Sequence, residues 1–289
     1  MFDPHLVRAS HGHIHQVDVI TDLLHGHYDS VTTVGEVFSN TLLGLGVADR
    51  LDGEIVSVDG VTWRVPATGK PELAASELGL PFAVSAAGGT PFNMELPKGA
   101  TFARIASLIE DVLRQAHDSR HPIAALRIDG DFTDVLLRSE HRQEPPFAHL
   151  DQVLRNEVQF PFESWRGTLV GFSYPQTADP ASDGVTIAGL HLHAISRDRA
   201  SGGHVHHATV AQATASIWLD DSQVDIPRTR LRHAIDLLAQ VTQHGAPSQS
   251  RQAAELLQHL NSPNASASDF VQAIALHDAY LNDPYLEKN

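Results

Sequence analysis

Cysteine is missing from all 289 residues, which rules out a disulfide framework, a thiolate metal site and a cysteine nucleophile. Any metal ion would have to be held by His, Asp or Glu. Positive charge is scarce as well: 20 Lys and Arg stand against 35 Asp and Glu, a formal net charge of −15. That balance disfavours nucleic acid as a partner, because phosphates are bound by Lys and Arg. No apolar run is long enough to span a bilayer, and the start, Met1-Phe2-Asp3-Pro4-His5, has neither a basic n-region nor an apolar h-region. A cytoplasmic protein without a membrane partner is the expectation. Methionine is rare too, with 2 against 19 histidines. A count of histidines says little about chemistry, so their spacing has to decide.

A chain of this length can bury a substantial core in one large or two modest domains. Residues 16–30 carry apolar side chains at 17, 20, 23 and 24, a helical spacing that Gly26 stops. Thr33 to Ser39 reads as a second short helix, Gly44-Leu-Gly46 as a turn, and Gly53 to Val65 as two strands joined at Asp59-Gly60, a strong hairpin signal. Residues 70–100 are rich in Pro, Gly and Ala and suggest no clear element. A helix is expected from Thr101, its cap, to His117. Strand patterns then follow at 123–128, 132–138, 160–162, 167–174, 186–196, 204–214 and 216–219. Beyond Thr229 the pattern turns helical: Arg230 to Gln243, Ser250 to Leu260, and a helix capped by Ser268 that runs to about Leu281. The fold class is therefore α+β, two lobes with mixed sheets and a helical C-terminal extension.

The chemistry concentrates in Gly189-Leu-His191-Leu-His193-Ala-Ile-Ser196. Two histidines two apart on a strand present both imidazoles on one face. A loop-like segment, 197–203, then allows a hairpin to bring His204 back beside them. Three neutral imidazoles would leave positions on a metal ion open to a substrate. His206 competes as third ligand because it shares the strand face of His204, whereas His207 points the other way. His11, His13 and His15 repeat the spacing near the terminus and are expected in a solvated segment. His25 and His27 are expected at the surface.

Several motifs, in order, resemble the α-acetolactate decarboxylase family: Leu23-Leu-His-Gly-His-Tyr28, Thr33-Val-Gly-Glu-Val37, Gly44-Leu-Gly46 with Leu51-Asp-Gly-Glu54, Arg127-Ile-Asp-Gly130 with Leu137-Arg-Ser139, Gly167-Thr-Leu-Val-Gly-Phe172, and His191-Leu-His193 with Gly202-Gly-His204. The resemblance implies a two-lobed fold with a half-barrel, a catalytic unit over 12–227 followed by the helical extension at 228–289, and a homodimer. It also implies a zinc ion on His191, His193 and His204, with Glu54 beside the metal and Arg138 pointing into the same pocket. Spacing alone would have left Glu54 at a strand entrance and Arg138 in a surface ion pair.

The implied reaction is decarboxylation of (S)-2-acetolactate, a small keto acid, to (R)-acetoin and CO2. Losing CO2 from a 2-hydroxy-3-keto acid requires an electron sink, and with no sign of a pyridoxal or thiamine site a Lewis-acidic metal is the natural one. In this reading Arg138 holds the carboxylate or developing oxyanion, and Glu54 delivers a proton to one face. Two departures stand out. Where the family has Gly-Thr-Phe, this chain has Gly46-Val47-Ala48, which allows another hydroxy-keto acid as substrate. The family's C-terminal carboxylate near the metal has only Glu255 or Glu287 as candidates here. A binding module that keeps the fold without the activity is the third reading.

Overall fold

The computed structural model describes residues 13–115, 123–174, 184–220, 222–262 and 265–283. Along the first half, the elements are β1 (His13–Val17), α1 (Ile20–Leu24), β2 (Thr32–Thr33), α2 (Val34–Phe38), β3 (Leu43–Val47), β4 (Glu54–Val58), β5 (Val61–Val65), β6 (Glu72–Leu73), β7 (Gly79–Leu80), β8 (Phe82–Ala87), β9 (Phe92–Leu96) and α3 (Phe102–Gln115). The second half contributes β10 (Ile123–Ser139), α4 (Leu150–Leu154), β11 (Val158–Tyr174), β12 (Gly189–Ser196), β13 (Gly202–Asp220), β14 (Ser222–Asp225), and helices α5 (Arg228–His244), α6 (Pro247–Leu260) and α7 (Ala267–Leu281).

Two sheets pack against each other. The first has seven strands in the order β14-β1-β8-β3-β4-β5-β6, mixed because β14 runs parallel to β1. Asp59 and Gly60 both take positive φ, as a two-residue hairpin turn that follows the strand twist requires. Gly44-Leu-Gly46 is not a turn but the middle of the buried strand β3. A Cβ on Gly44 would lie 2.8 Å from the Val84 carbonyl oxygen and overlap the Phe38 ring. The glycine marks a close approach inside the sheet.

The second sheet is built from much longer strands than the sequence pattern suggests. The segments 123–128 and 132–138 form the single 17-residue strand β10, and 160–162 and 167–174 belong to the equally long β11. Asp129-Gly130-Asp131 looks like a break but runs straight through, with Gly130 opposite Gly167 on one side and Ala213 on the other. β10 lies between β11 and β13, β11 pairs with β12, and β12 curls back to meet the start of β13 through His193↔His204 and Ile195↔Gly202. The sheet thus closes at one end, as a half-barrel.

Helix boundaries differ from the sequence reading for local reasons. Residues 16 and 17 belong to β1, because Asp18 takes φ 66° and breaks the chain direction before α1. α6 starts at Pro247, whose ring presets the first helical φ. Ser266 rather than Ser268 caps α7, because Ser266 and Asp269 complete a reciprocal capping box. One buried cluster, including Val56, Val170, Phe172 and Ile195, lies between the sheets, and another packs α3 on the half-barrel. The three C-terminal helices share a third, which includes Val19.

Candidate metal centre

The site forms at the seam where the half-barrel closes. His204 on β13 has Arg138 of β10 as its register partner on one side and His193 of β12 on the other. Three functional side chains therefore come from one cross-strand row. His191 joins from two residues along β12, so the period-two spacing does what the sequence suggested. His191 Nε2 lies 3.2 Å from His204 Nδ1 and 3.2 Å from His193 Nε2. Ligand-capable atoms of all three rings lie within 4.8 Å of one another.

Whether these residues suit a metal ion follows from the donors themselves. Bonds of about 2.0–2.1 Å arranged tetrahedrally would set the nitrogens about 3.3 Å apart, close to the two separations seen. Burial holds the His191 and His204 imidazoles well below their ordinary pKa, and neighbouring histidines and Arg138 push the same way. Burial also lowers His193, against the opposing pull of Glu54 and the Ile55 hydrogen bond. Neutral rings are the metal-binding form. His193 Nδ1 donates to the Ile55 carbonyl at 2.8 Å, which fixes the tautomer and leaves Nε2 with its lone pair toward the other rings.

Strand β4 supplies both that carbonyl and the adjacent Glu54, which is buried. Glu54 Oε2 is 3.3 Å from His193 Nε2, and its Oε1 accepts from Arg138 Nη1 at 2.9 Å. Glu54 and Arg138 are therefore both in the site. Arg138, however, is far from a free clamp. Its Nη1 also meets Glu140, and its Nε lies 3.2 Å from Glu157 without making a hydrogen bond of good geometry. The formal balance is one guanidinium against three carboxylates, a surplus of two negative charges that a divalent cation would neutralise.

Glu140 and Glu157 are the residues that sequence reasoning missed. Glu140 lines the cavity at 3% exposure, and neither of its oxygens accepts a hydrogen bond of good geometry. A signal was present: Glu140 stands two residues after Arg138 at the end of a strand, on the same face by alternation. The three rings that converge include His204 and not His206. The His206 ring is directed at Glu157, 2.7 Å from Oε1, while His207 meets Asp134 Oδ2 at 2.9 Å. Glu255 is exposed on α6, away from the cavity, and Glu287 lies outside the described residues.

The remaining wall of the cavity is apolar. Val47, Leu51 and Phe82 come from the first lobe, with Val47 opposite Glu54 in register, and Ile187 and the α4 residues Leu150 and Leu154 close another side. Ile20 and Leu23 of α1 complete it. The other histidines are placed differently from expectation. β1 is an inner strand between β14 and β8, so His13 and His15 lie in the sheet rather than in a solvated tail, and His11 lies outside the described residues. His25 and His27 are half-buried, beside Asp278 and Asp22 respectively.

Fold and site together define a two-lobed α+β protein with a three-imidazole centre opening on a small, mostly apolar cavity. Residues 14–237 match the family described as Alpha-acetolactate decarboxylase. The chain is 34% identical over 192 residues to the alpha-acetolactate decarboxylase of Klebsiella aerogenes, covering 66% of this chain and 71% of the relative. With that of Methanosarcina mazei it shares 32% identity over 204 residues, 71% and 68% of the two chains. The crystal structure of alpha-acetolactate decarboxylase from Bacillus subtilis strain 168 superposes with a TM-score of 0.68 at 28% identity, covering 75% of this chain and 89% of that one. The chain belongs to the alpha-acetolactate decarboxylase family.

Proposed function

We propose that this chain converts (S)-2-acetolactate to (R)-acetoin and CO2, using a divalent metal, zinc in our reading, on His191, His193 and His204. The observation that carries the proposal is the convergence of three neutral imidazoles with Arg138 and Glu54 on one enclosed cavity, in a chain of this family. A bound ion supplies Lewis acidity for the electron pair left behind when the bond to the carboxyl carbon breaks. Arg138 orients the substrate carboxylate through Nη2, which makes no hydrogen bond to its three carboxylate neighbours. This is a one-nitrogen contact.

Glu54 carries the proton. Held by Arg138 on one oxygen, it faces the centre with the other, takes the proton of the substrate hydroxyl and passes it to the carbon that has lost CO2 from its own side, a solvent proton restoring the hydroxyl, which makes acetoin of one hand. The apolar wall excludes water and accepts the methyl groups. Residues 12–227 form the catalytic unit in this reading and 228–289 an added helical extension, and the working assembly is a cytoplasmic homodimer.

The test is metal analysis of the purified protein combined with acetoin and CO2 release from racemic acetolactate. A panel of related hydroxy-keto acids runs alongside, because Val47 shapes the wall. Acetoin formation that vanishes in His193→Ala together with the bound metal supports the proposal. Turnover unaffected by that change would end it. Arg138→Lys should lower turnover about a hundredfold, since an ammonium cannot hold three carboxylates and still offer a spare directed donor.

A further inference from the structure

Helix α1 is only five residues long, and its N-terminal neighbour Val19 provides no side-chain cap. A helix so short has no stability of its own, yet Ile20 and Leu23 on it form part of the cavity wall. Something else has to hold it in place. The backbone at its start is tied to the segment that leads into β12 of the half-barrel, with Ile20 N donating to the Val185 carbonyl and Thr21 N to that of Gly184. The stronger ties come from the C-terminal helices.

Arg230, near the start of α5, reaches both ends of α1. Its Nε lies 3.2 Å from Asp18 Oδ2, just before the helix, and 3.1 Å from Asp22 Oδ2 within it. Its Nη2 donates to the carbonyls of His27 at 2.9 Å and Asp29 at 3.3 Å, beyond the helix. Asp18 and Asp22 are each 1% exposed, so two carboxylates are buried against one guanidinium, and neither Asp22 oxygen receives a hydrogen bond of good geometry. Val19 is meanwhile embedded in the apolar cluster of α5–α7, and His25 Nε2 lies 3.0 Å from Asp278 Oδ2 of α7. One face of this short segment thus belongs to the helical extension and the other to the active cavity.

We propose that Arg230 is a positioning residue through which the helical extension sets the cavity wall, holding α1 so that Ile20 and Leu23 fit the alkyl part of the substrate. The proposal rests on the decarboxylase reading for the substrate alone, and the placement of α1 is measured separately. In the full-length, metal-loaded protein, hydrogen exchange over residues 18–29 is followed for wild type, Arg230→Met and Arg230→Lys, with bound metal, KM and kcat for acetolactate.

Arg230→Met should accelerate exchange about tenfold in 18–29 with little change elsewhere. It should also raise KM about tenfold with kcat and metal content within about twofold of wild type, the pattern of lost binding rather than lost chemistry. Arg230→Lys, which keeps the charge and loses the double reach, should fall between the two. Should Arg230→Met not fold, the lysine variant decides by the same measures. Unchanged exchange in 18–29 overturns the proposal, as does faster exchange with an unchanged KM, and so does loosening spread evenly over the whole chain. If wild type shows no turnover, the functional reading fails on its own, and exchange in 18–29 decides whether Arg230 holds α1.

Discussion

Around Arg138, Glu54, Glu140 and Glu157 compete for one guanidinium, and they do not do so equally. Glu157 also accepts from His206 and Gln159, and Glu54 has a hydrogen bond from Arg138. Glu140 lacks any such hydrogen bond. If the surplus negative charge serves a cation, Glu140 should contribute to affinity without being a ligand of the imidazole type. Glu140→Gln, which keeps the shape, should weaken zinc binding about tenfold in a chelator competition, and unchanged affinity would show that the charge is not felt. Asp18 offers a separate test. Burial, reinforced by Asp22 and partly offset by Arg230, raises its carboxyl to about 7, against about 3.9 in an unfolded chain. Between those values the folded form binds the proton more tightly, so this contribution is intact below about pH 4 and is lost as pH rises toward about 7. Asp18→Asn should flatten the decline of the urea midpoint over that window. An identical slope in both proteins would contradict it.

At the level of strands and helices, the glycines decide more than the apolar pattern does. Gly44 sits where a Cβ would meet the Phe38 ring and the Val84 carbonyl oxygen. Gly44→Ala should therefore cost about 1–3 kcal/mol by overpacking, measured by denaturant unfolding. The same glycines misled the sequence reading, since Gly-x-Gly looks like a turn until the facing strand is known. Gly130 and Gly167 did likewise, splitting two long strands into four apparent ones. What could be read directly was local: the Asp59-Gly60 hairpin, the short helix after Thr33, and the His191/His193 pair. The seam that pairs Arg138 with His204 and His204 with His193 depends on closure of a sheet across more than sixty residues of chain, which no window of sequence displays. The roles of Glu54 and Arg138 came into view through family resemblance, while Glu140 had only a weak alternation signal.

For the whole molecule, the site links two lobes that also share apolar packing and a buried hydrogen bond from Ser139 Oγ to the Val65 carbonyl beside it. A ligand that binds the native state alone adds stability, about 2.7 kcal/mol when its free concentration is a hundred times its dissociation constant. Chelation should therefore lower the melting temperature and zinc should restore it, whereas a melting curve indifferent to both would argue against occupancy. Strand β4 adds a mechanical condition. It presents the Glu54 carboxylate and, one residue on, the carbonyl that orients His193 on the opposite lobe. Sliding one sheet against the other by a single residue would withdraw the Glu54 carboxylate and release the imidazole in the same movement, so a partly opened molecule would have neither half of the proposed chemistry.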